Sequence, residues 1–112
     1  MTKLPAGYTL TDDQSQIDPL AAHAYLTTSY WAKGIPLDVV QRSLENSFCV
    51  AITHQGAQVG MARLVTDLAT FAYLADVYVL ENHRGLGLAS VMIEHLQDHA
   101  DLQGLRRWML GT

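Results

Sequence analysis

The stretch Leu74-Ala75-Asp76-Val77-Tyr78-Val79-Leu80-Glu81-Asn82-His83-Arg84-Gly85-Leu86-Gly87-Leu88-Ala89-Ser90 decides how this chain is read. An apolar, strand-forming run enters a turn with two glycines, and the turn opens a helix. The first turn of a helix carries N–H groups with no intrahelical acceptor, and its aligned peptide dipoles make that end electropositive. Gly85 and Gly87 let a ligand approach the backbone with no Cβ in the way. Arg84 adds a positive charge that suits phosphate oxygens; the alternative is a solvated surface arginine, and its position before Gly85-Leu86-Gly87 favours the phosphate role. Together these features predict a pyrophosphate cradle.

Two other phosphate motifs do not fit. No G-x-x-x-x-G-K-[S/T] run exists, and Gly85-Leu86-Gly87 has Ser90 where a dinucleotide fingerprint needs its third glycine.

Working outward, Tyr8 to Thr11 reads as a first strand. Asp18-Pro19 marks a helix start, with Asp as cap and Pro in the first turn. Leu20, Ala21, Ala24 and Tyr25 then follow at helical spacing. Tyr30 to Ile35 reads as a loop, and Pro36 to Asn46 as a second helix with Leu37, Val40 and Leu44 on one side. The period then changes. Phe48 to Thr53, Val59 to Thr66 and Thr70 to Leu80 read as three strands, joined by His54 to Gln58 and by Asp67-Leu68-Ala69. Leu88 to His99 is an amphipathic helix with Leu88, Met92, His95/Leu96 and His99 on one face. Leu105 to Leu110 is a last strand, before Gly111-Thr112. The strand–helix–strand unit at this end should cross over right-handed and leave its strands parallel. The fold class expected is α/β with a mixed sheet, one domain over residues 1–112.

Composition narrows the function. With 49% hydrophobic and 16% charged residues, disordered and collagen-like chains are excluded. The net charge of -4 argues against a nucleic-acid partner. Cys49, the lone cysteine, lies in the apolar run Phe48 to Ile52 and reads as a buried structural thiol. No run of about 18 apolar residues is present, and Met1-Thr2-Lys3-Leu4-Pro5 lacks the apolar core of a signal peptide. The expectation is a cytoplasmic protein without a membrane partner.

Arg84, Gly87 and Ala89 occupy the three defined positions of [Q/R]-x-x-G-x-[G/A], and the stretch resembles motif A of the GCN5-related N-acetyltransferases (GNAT). The order of elements matches that family from first strand to fifth, and Tyr30 to Pro36 and Arg63 to Asp67 resemble its bacterial members. The resemblance implies acetyl-CoA as cofactor. The backbone of Val77, Tyr78 and Val79 would pair with the pantetheine arm. The amides of Arg84, Gly85, Leu86, Gly87, Leu88, Ala89 and Ser90 would hold the pyrophosphate. The acceptor would be a primary amine on a small molecule or peptide; a base takes a proton and an acid protonates the leaving thiolate. Family members continue past the fifth strand with a helix, whose tyrosine is the presumed acid, and two more strands. The expectation here is a GNAT-like acyl-CoA N-acyltransferase fold lacking that last part. Leu105, Trp108, Met109 and Leu110 would then form an uncovered apolar edge, which predicts a homodimer or a covering partner.

Single residues carry two readings each. Asp76 is a base candidate if burial raises its pKa, or the partner of Arg63 in a structural ion pair. Tyr78 reaches toward the thioester or packs in the sheet. Tyr30 and Trp31 line an acceptor pocket or pack as a staple. His83 defaults to an exposed loop histidine. His95 and His99 stand four apart but lack the third ligand of a metal motif, so no metal is assigned. At the level of function the alternatives to an N-acetyltransferase are a non-catalytic CoA-binding module and a structural subunit pairing through its open edge. The negative charge is compatible with cationic acceptors such as polyamines or lysine side chains.

Overall fold

Residues 49–52 are all buried, and their side chains alternate between two cores. Val50 and Ile52 face one, Cys49 and Ala51 the other, so this strand lies in a sheet covered on both sides. The structure, a computed structural model, describes residues 3–110. Met1-Thr2 and Gly111-Thr112, where the sequence reading sets the start and end of the chain, lie outside the described residues.

The elements are β1 (Tyr8–Thr11), α1 (Pro19–Leu26), α2 (Leu37–Glu45), β2 (Phe48–His54), β3 (Ala57–Thr66), β4 (Phe71–Val79), α3 (Leu88–Asp98) and β5 (Arg107–Leu110). Short 3₁₀ turns occupy Gln14–Gln16, Glu81–His83 and Ala100–Leu102. The five strands form one sheet in the order β1-β2-β3-β4-β5. Neighbours are antiparallel except β4 and β5, which α3 connects in parallel. The fold is the mixed α/β sheet expected.

α3 packs on one face with Leu88, Val91, Met92 and Leu96 buried; α1 and α2 cover the other with Ala22, Leu26, Val40 and Leu44. The face of α1 corrects the sequence reading. Leu20 is 63% exposed, and Ala22 and Leu26 point inward instead of Leu20 and Ala24. The helix Pro-Leu-Ala-Ala-His-Ala-Tyr-Leu is apolar nearly all round, so periodicity could not choose a face. Leu102, in the third 3₁₀ turn, fills the α3 core from a segment with no expected element.

One irregularity matters for the site. In the β3–β4 ladder Arg63 is opposite Ala75, but Met61 is opposite Tyr78, so Asp76 and Val77 share one partner position. This is a β-bulge, and Asp76 takes its left-handed residue at φ 52°. Asp tolerates that region better than most side chains, at a cost of about 1 kcal/mol.

β5 is exposed at all four positions, with Trp108, Met109 and Leu110 at 38%, 45% and 64%. Among the described residues no helix is long and apolar enough to cross a membrane.

Candidate functional site

α1 and α3 begin differently. Asp18 caps α1, its Oδ1 accepting from the N–H of Leu20 and Ala21 at 3.0 and 3.2 Å. The cap of α3 is Gly87, with φ 79° and no side chain to offer. Its carbonyl accepts from Val91 N–H at 3.0 Å, while the amides of Leu88, Ala89 and Ser90 have no acceptor inside the helix. Gly85, φ 80°, has no atom within 4 Å of where a Cβ would stand. A side chain there would project into open space. The result is an electropositive pit lined by peptide donors.

That pit continues along β4. The β4–β5 ladder runs from Phe71–Arg107 to Leu74–Leu110 among the described residues. Beyond it, Val77, Tyr78 and Val79 line a cavity of about 400 Å³ together with Arg84, Gly85, Gly87, Leu88, Ala89 and Ser90. Nine of the ten positions named from sequence for the cofactor thus surround one space. Leu86 does not line it, and its side chain is 45% exposed.

Arg84 sits in that lining by a route the motif did not suggest. Its Nε donates to the Val79 carbonyl at 2.8 Å and its Nη2 to the Tyr25 hydroxyl at 3.3 Å. The guanidinium therefore ties the turn back to β4 and α1, its charge fixed beside the strand. The Arg84 amide is also engaged, donating to Glu81 O at 3.3 Å. This corrects the expectation that the amide series begins at Arg84.

Tyr25 and His83 were missed as site residues, and both line the same cavity. Tyr25 stacks on Tyr78, with ring centroids 4.4 Å apart and planes at 11°. Its place at helical spacing in α1 carries no sign of this role. His83 is held by the Tyr8 hydroxyl, 2.8 Å from its Nδ1, and its place next to Arg84 in the turn was the available signal.

The Tyr78 ring is only 3% exposed, and its hydroxyl accepts from Gln58 Nε2 at 3.2 Å. Burial pushes the phenol up to about 12, against a smaller opposing effect of the Gln58 bond. Gln58 also grips the backbone of Asp18, accepting from its N–H at 2.9 Å and donating to its carbonyl at 3.3 Å. The hydroxyl is thus anchored at the start of α1, which favours the packing reading of Tyr78 over the catalytic one.

Asp76 meets Arg63, Oδ2 to Nε at 2.8 Å, with side chains 15% and 19% exposed. The bulge makes this pair. In an unbroken ladder Arg63 opposite Ala75 would send Asp76 to the other face. The second carboxylate oxygen accepts from Trp31 Nε1 at 3.0 Å. Each oxygen thus accepts one bond, the ion-pair reading holds, and the Arg63 charge beside the carboxylate works against the base reading. Trp31 lines the 400 Å³ cavity and also a second one, of about 640 Å³, which Tyr30, Tyr73 and Asp76 line as well.

Elsewhere, burial pushes the Cys49 thiol up to about 11, as suits an inert core residue. His95 and His99 both reach the Asp12 carboxylate, at 2.8 and 3.3 Å. Among the described residues no group of three His, Cys, Asp or Glu side chains is placed to hold a metal ion.

Comparison with known proteins agrees with this geometry. The Acetyltransferase (GNAT) family model matches residues 10–112. A Gibberella zeae relative named "Putative acetyltransferase" is 32% identical over 87% of the chain, which spans 66% of that relative's length. A Xanthomonas campestris crystal structure, also named a "putative acetyltransferase" of the GNAT family, is 42% identical and superposes with a TM-score of 0.93. That match covers 98% of this chain and 78% of the other. A GNAT family acetyltransferase from Elizabethkingia anophelis, solved with acetyl-CoA bound, shares the fold at TM-score 0.70 with 11% identity, over 96% of this chain and 67% of its own. The chain belongs to the Acetyltransferase (GNAT) family.

Proposed function

We propose that this chain, residues 1–112 acting as one unit, binds acetyl-CoA and is the cofactor-binding part of an N-acetyltransferase acting on a primary amine. One observation carries the reading: the uncapped N-terminus of α3 and the outer edge of β4 open into a single cavity. The fit to the cofactor is good on two counts. Peptide N–H groups at a helix start suit a pyrophosphate, and the open space above Gly85 admits one. The edge of β4 beyond Leu74, where the described β4–β5 ladder ends, suits the amide groups of a pantetheine arm, because both offer donors and acceptors at extended spacing.

In this reading Gly85, Gly87, Leu88, Ala89 and Ser90 hold the phosphates, and Val77 to Val79 orient the arm. When bound, acetyl-CoA supplies an acetyl thioester: a new N–C bond replaces the C–S bond, and the amine's proton balances the one the thiolate takes up. Arg84 and Tyr25, bonded to each other, form one side of the cavity. Asp76 and Tyr78 act as positioning residues, the first holding Trp31 and the second anchoring α1.

Calorimetric titration with acetyl-CoA tests the proposal. Ser90→Glu is the informative variant, since a carboxylate in the first turn of α3 favours the helix yet repels phosphate. Micromolar binding that weakens at least about tenfold in Ser90→Glu, or 1.4 kcal/mol, supports the cradle. No heat and no thermal shift with the intact protein would sink it.

A further inference from the structure

The second cavity is lined by three aromatic residues and, among the described residues, by one acid and one base paired with each other, and that combination points to a class of acceptor. Tyr30 is 89% exposed and Trp31 43%, and their rings meet edge to face, 5.2 Å apart at 82°. Large exposed aromatics on one loop are expensive unless something covers them. Trp31 is also held in place. Its indole N–H donates to Asp76, Asp76 accepts from Arg63 Nε, and Arg63 Nη1 donates to the Ser47 hydroxyl at 3.1 Å. This chain of bonds joins the α1–α2 loop to β4, β3 and the segment before β2. It fixes one indole at the seam between the two cavities, both of which Trp31 and Val77 line.

The charges in the second cavity cancel. Its lining contains one acid and one base, Asp76 and Arg63, and they are bonded to each other. The carboxylate's other oxygen is on Trp31. Among the described lining residues a ligand with a second ammonium group would meet only a carboxylate already neutralised by Arg63, whereas a flat apolar body would find Trp31, Tyr30 and Tyr73. We propose that the acceptor is a monoamine with an aromatic or otherwise flat apolar body, which stacks in the second cavity on Trp31 and Tyr30 and directs its amine past Val77 toward the first. The proposal rests on the acetyltransferase reading for its chemistry, but the binding surface stands on these contacts. It also runs against the polyamine class that net charge alone had made compatible.

The test reads the site without the cofactor. In two-dimensional NMR of the whole chain, the indole N–H of Trp31 is followed while 2-phenylethylamine or spermidine is added at millimolar concentration. Trp108, the other tryptophan, is the internal control. A saturable shift of Trp31 with 2-phenylethylamine, at least tenfold weaker with spermidine and weakened again in Tyr30→Ala, is the expected result. Tyr30 is so exposed that its removal leaves the fold intact, and thermal melting verifies this. An equal or larger response to spermidine overturns the proposal, as does no response to either amine. Loss of acetyl-CoA binding, in contrast, would overturn the function reading and leave the Trp31 result standing.

Discussion

α1 and α3 enter the same sheet with opposite treatment of their first amides. Asp18 spends its carboxylate on two N–H groups of α1, and Gln58 secures the backbone on either side of it. At α3 a glycine takes the cap position, and three amides open onto a cavity. A missing side-chain cap is not enough to make the difference, since α2 starts uncapped at Pro36 as well; at α3 the free amides also line a cavity, which suits an anion. The cap itself is one side chain, and it can be exchanged.

Giving α3 a cap of its own should have the largest effect. In Gly87→Asp the carboxylate competes for the amides and repels phosphate, so acetyl-CoA affinity should fall about 100-fold, near 2.7 kcal/mol. Stability should fall by about 1–2 kcal/mol, the cost of an L side chain in the left-handed conformation at φ 79°. Calorimetry and urea unfolding on the same preparation separate the two; unchanged affinity would break the comparison.

Removing the cap of α1 is the converse. Asp18→Ala should cost about 1 kcal/mol, or about 4 °C in Tm, and leave the acetyl-CoA dissociation constant as it was. A large loss of affinity would mean that α1 shapes the cofactor cavity through Tyr25 more strongly than its position suggests.

The smallest effect concerns Asp67, which caps the β3–β4 turn as Asp18 caps a helix. It accepts from the Thr70 hydroxyl and from the amides of Thr70, Ala69 and Phe71, and these bonds hold its carboxyl well below the usual 3.8. A depressed folded pKa contributes stability above the unfolded value, lost as pH falls below it. Asp67→Asn should therefore lose less stability than the wild type between pH 7 and pH 3, by urea midpoint. Equal losses would show that the exposed carboxylate is screened into irrelevance.

Much of this contrast was legible in the sequence. Asp18-Pro19 and Gly85-Leu86-Gly87 are local signals, set by capping and by φ, and both helices begin where those signals put them. What depends on tertiary contact was less so. The Asp76–Arg63 pair was legible, but by a simple hairpin register that the ladder does not have: nothing in Ala75-Asp76-Val77 marks the bulge that brings the two together, since no Gly or Pro punctuates it. The apolar circumference of α1 hid which side Tyr25 would face. Arg84 was read as a charge for phosphate because the motif names the residue and not the direction of its side chain. Its fold-back onto Val79 and Tyr25 needs α1 and β4 already in place.

The alternation in β4 has a longer reach. Tyr78 belongs to the core under α1 and α2, and Val79 to the core under α3, while Leu80 touches both. The sheet thus acts as a partition, with the aromatic loop rooted in one layer and the anion pit in the other. Substitutions in separate layers combine nearly additively. Such a chain can drift toward new acceptors through the α1–α2 layer as long as Tyr25 and Trp31, which also line the cofactor cavity, are kept.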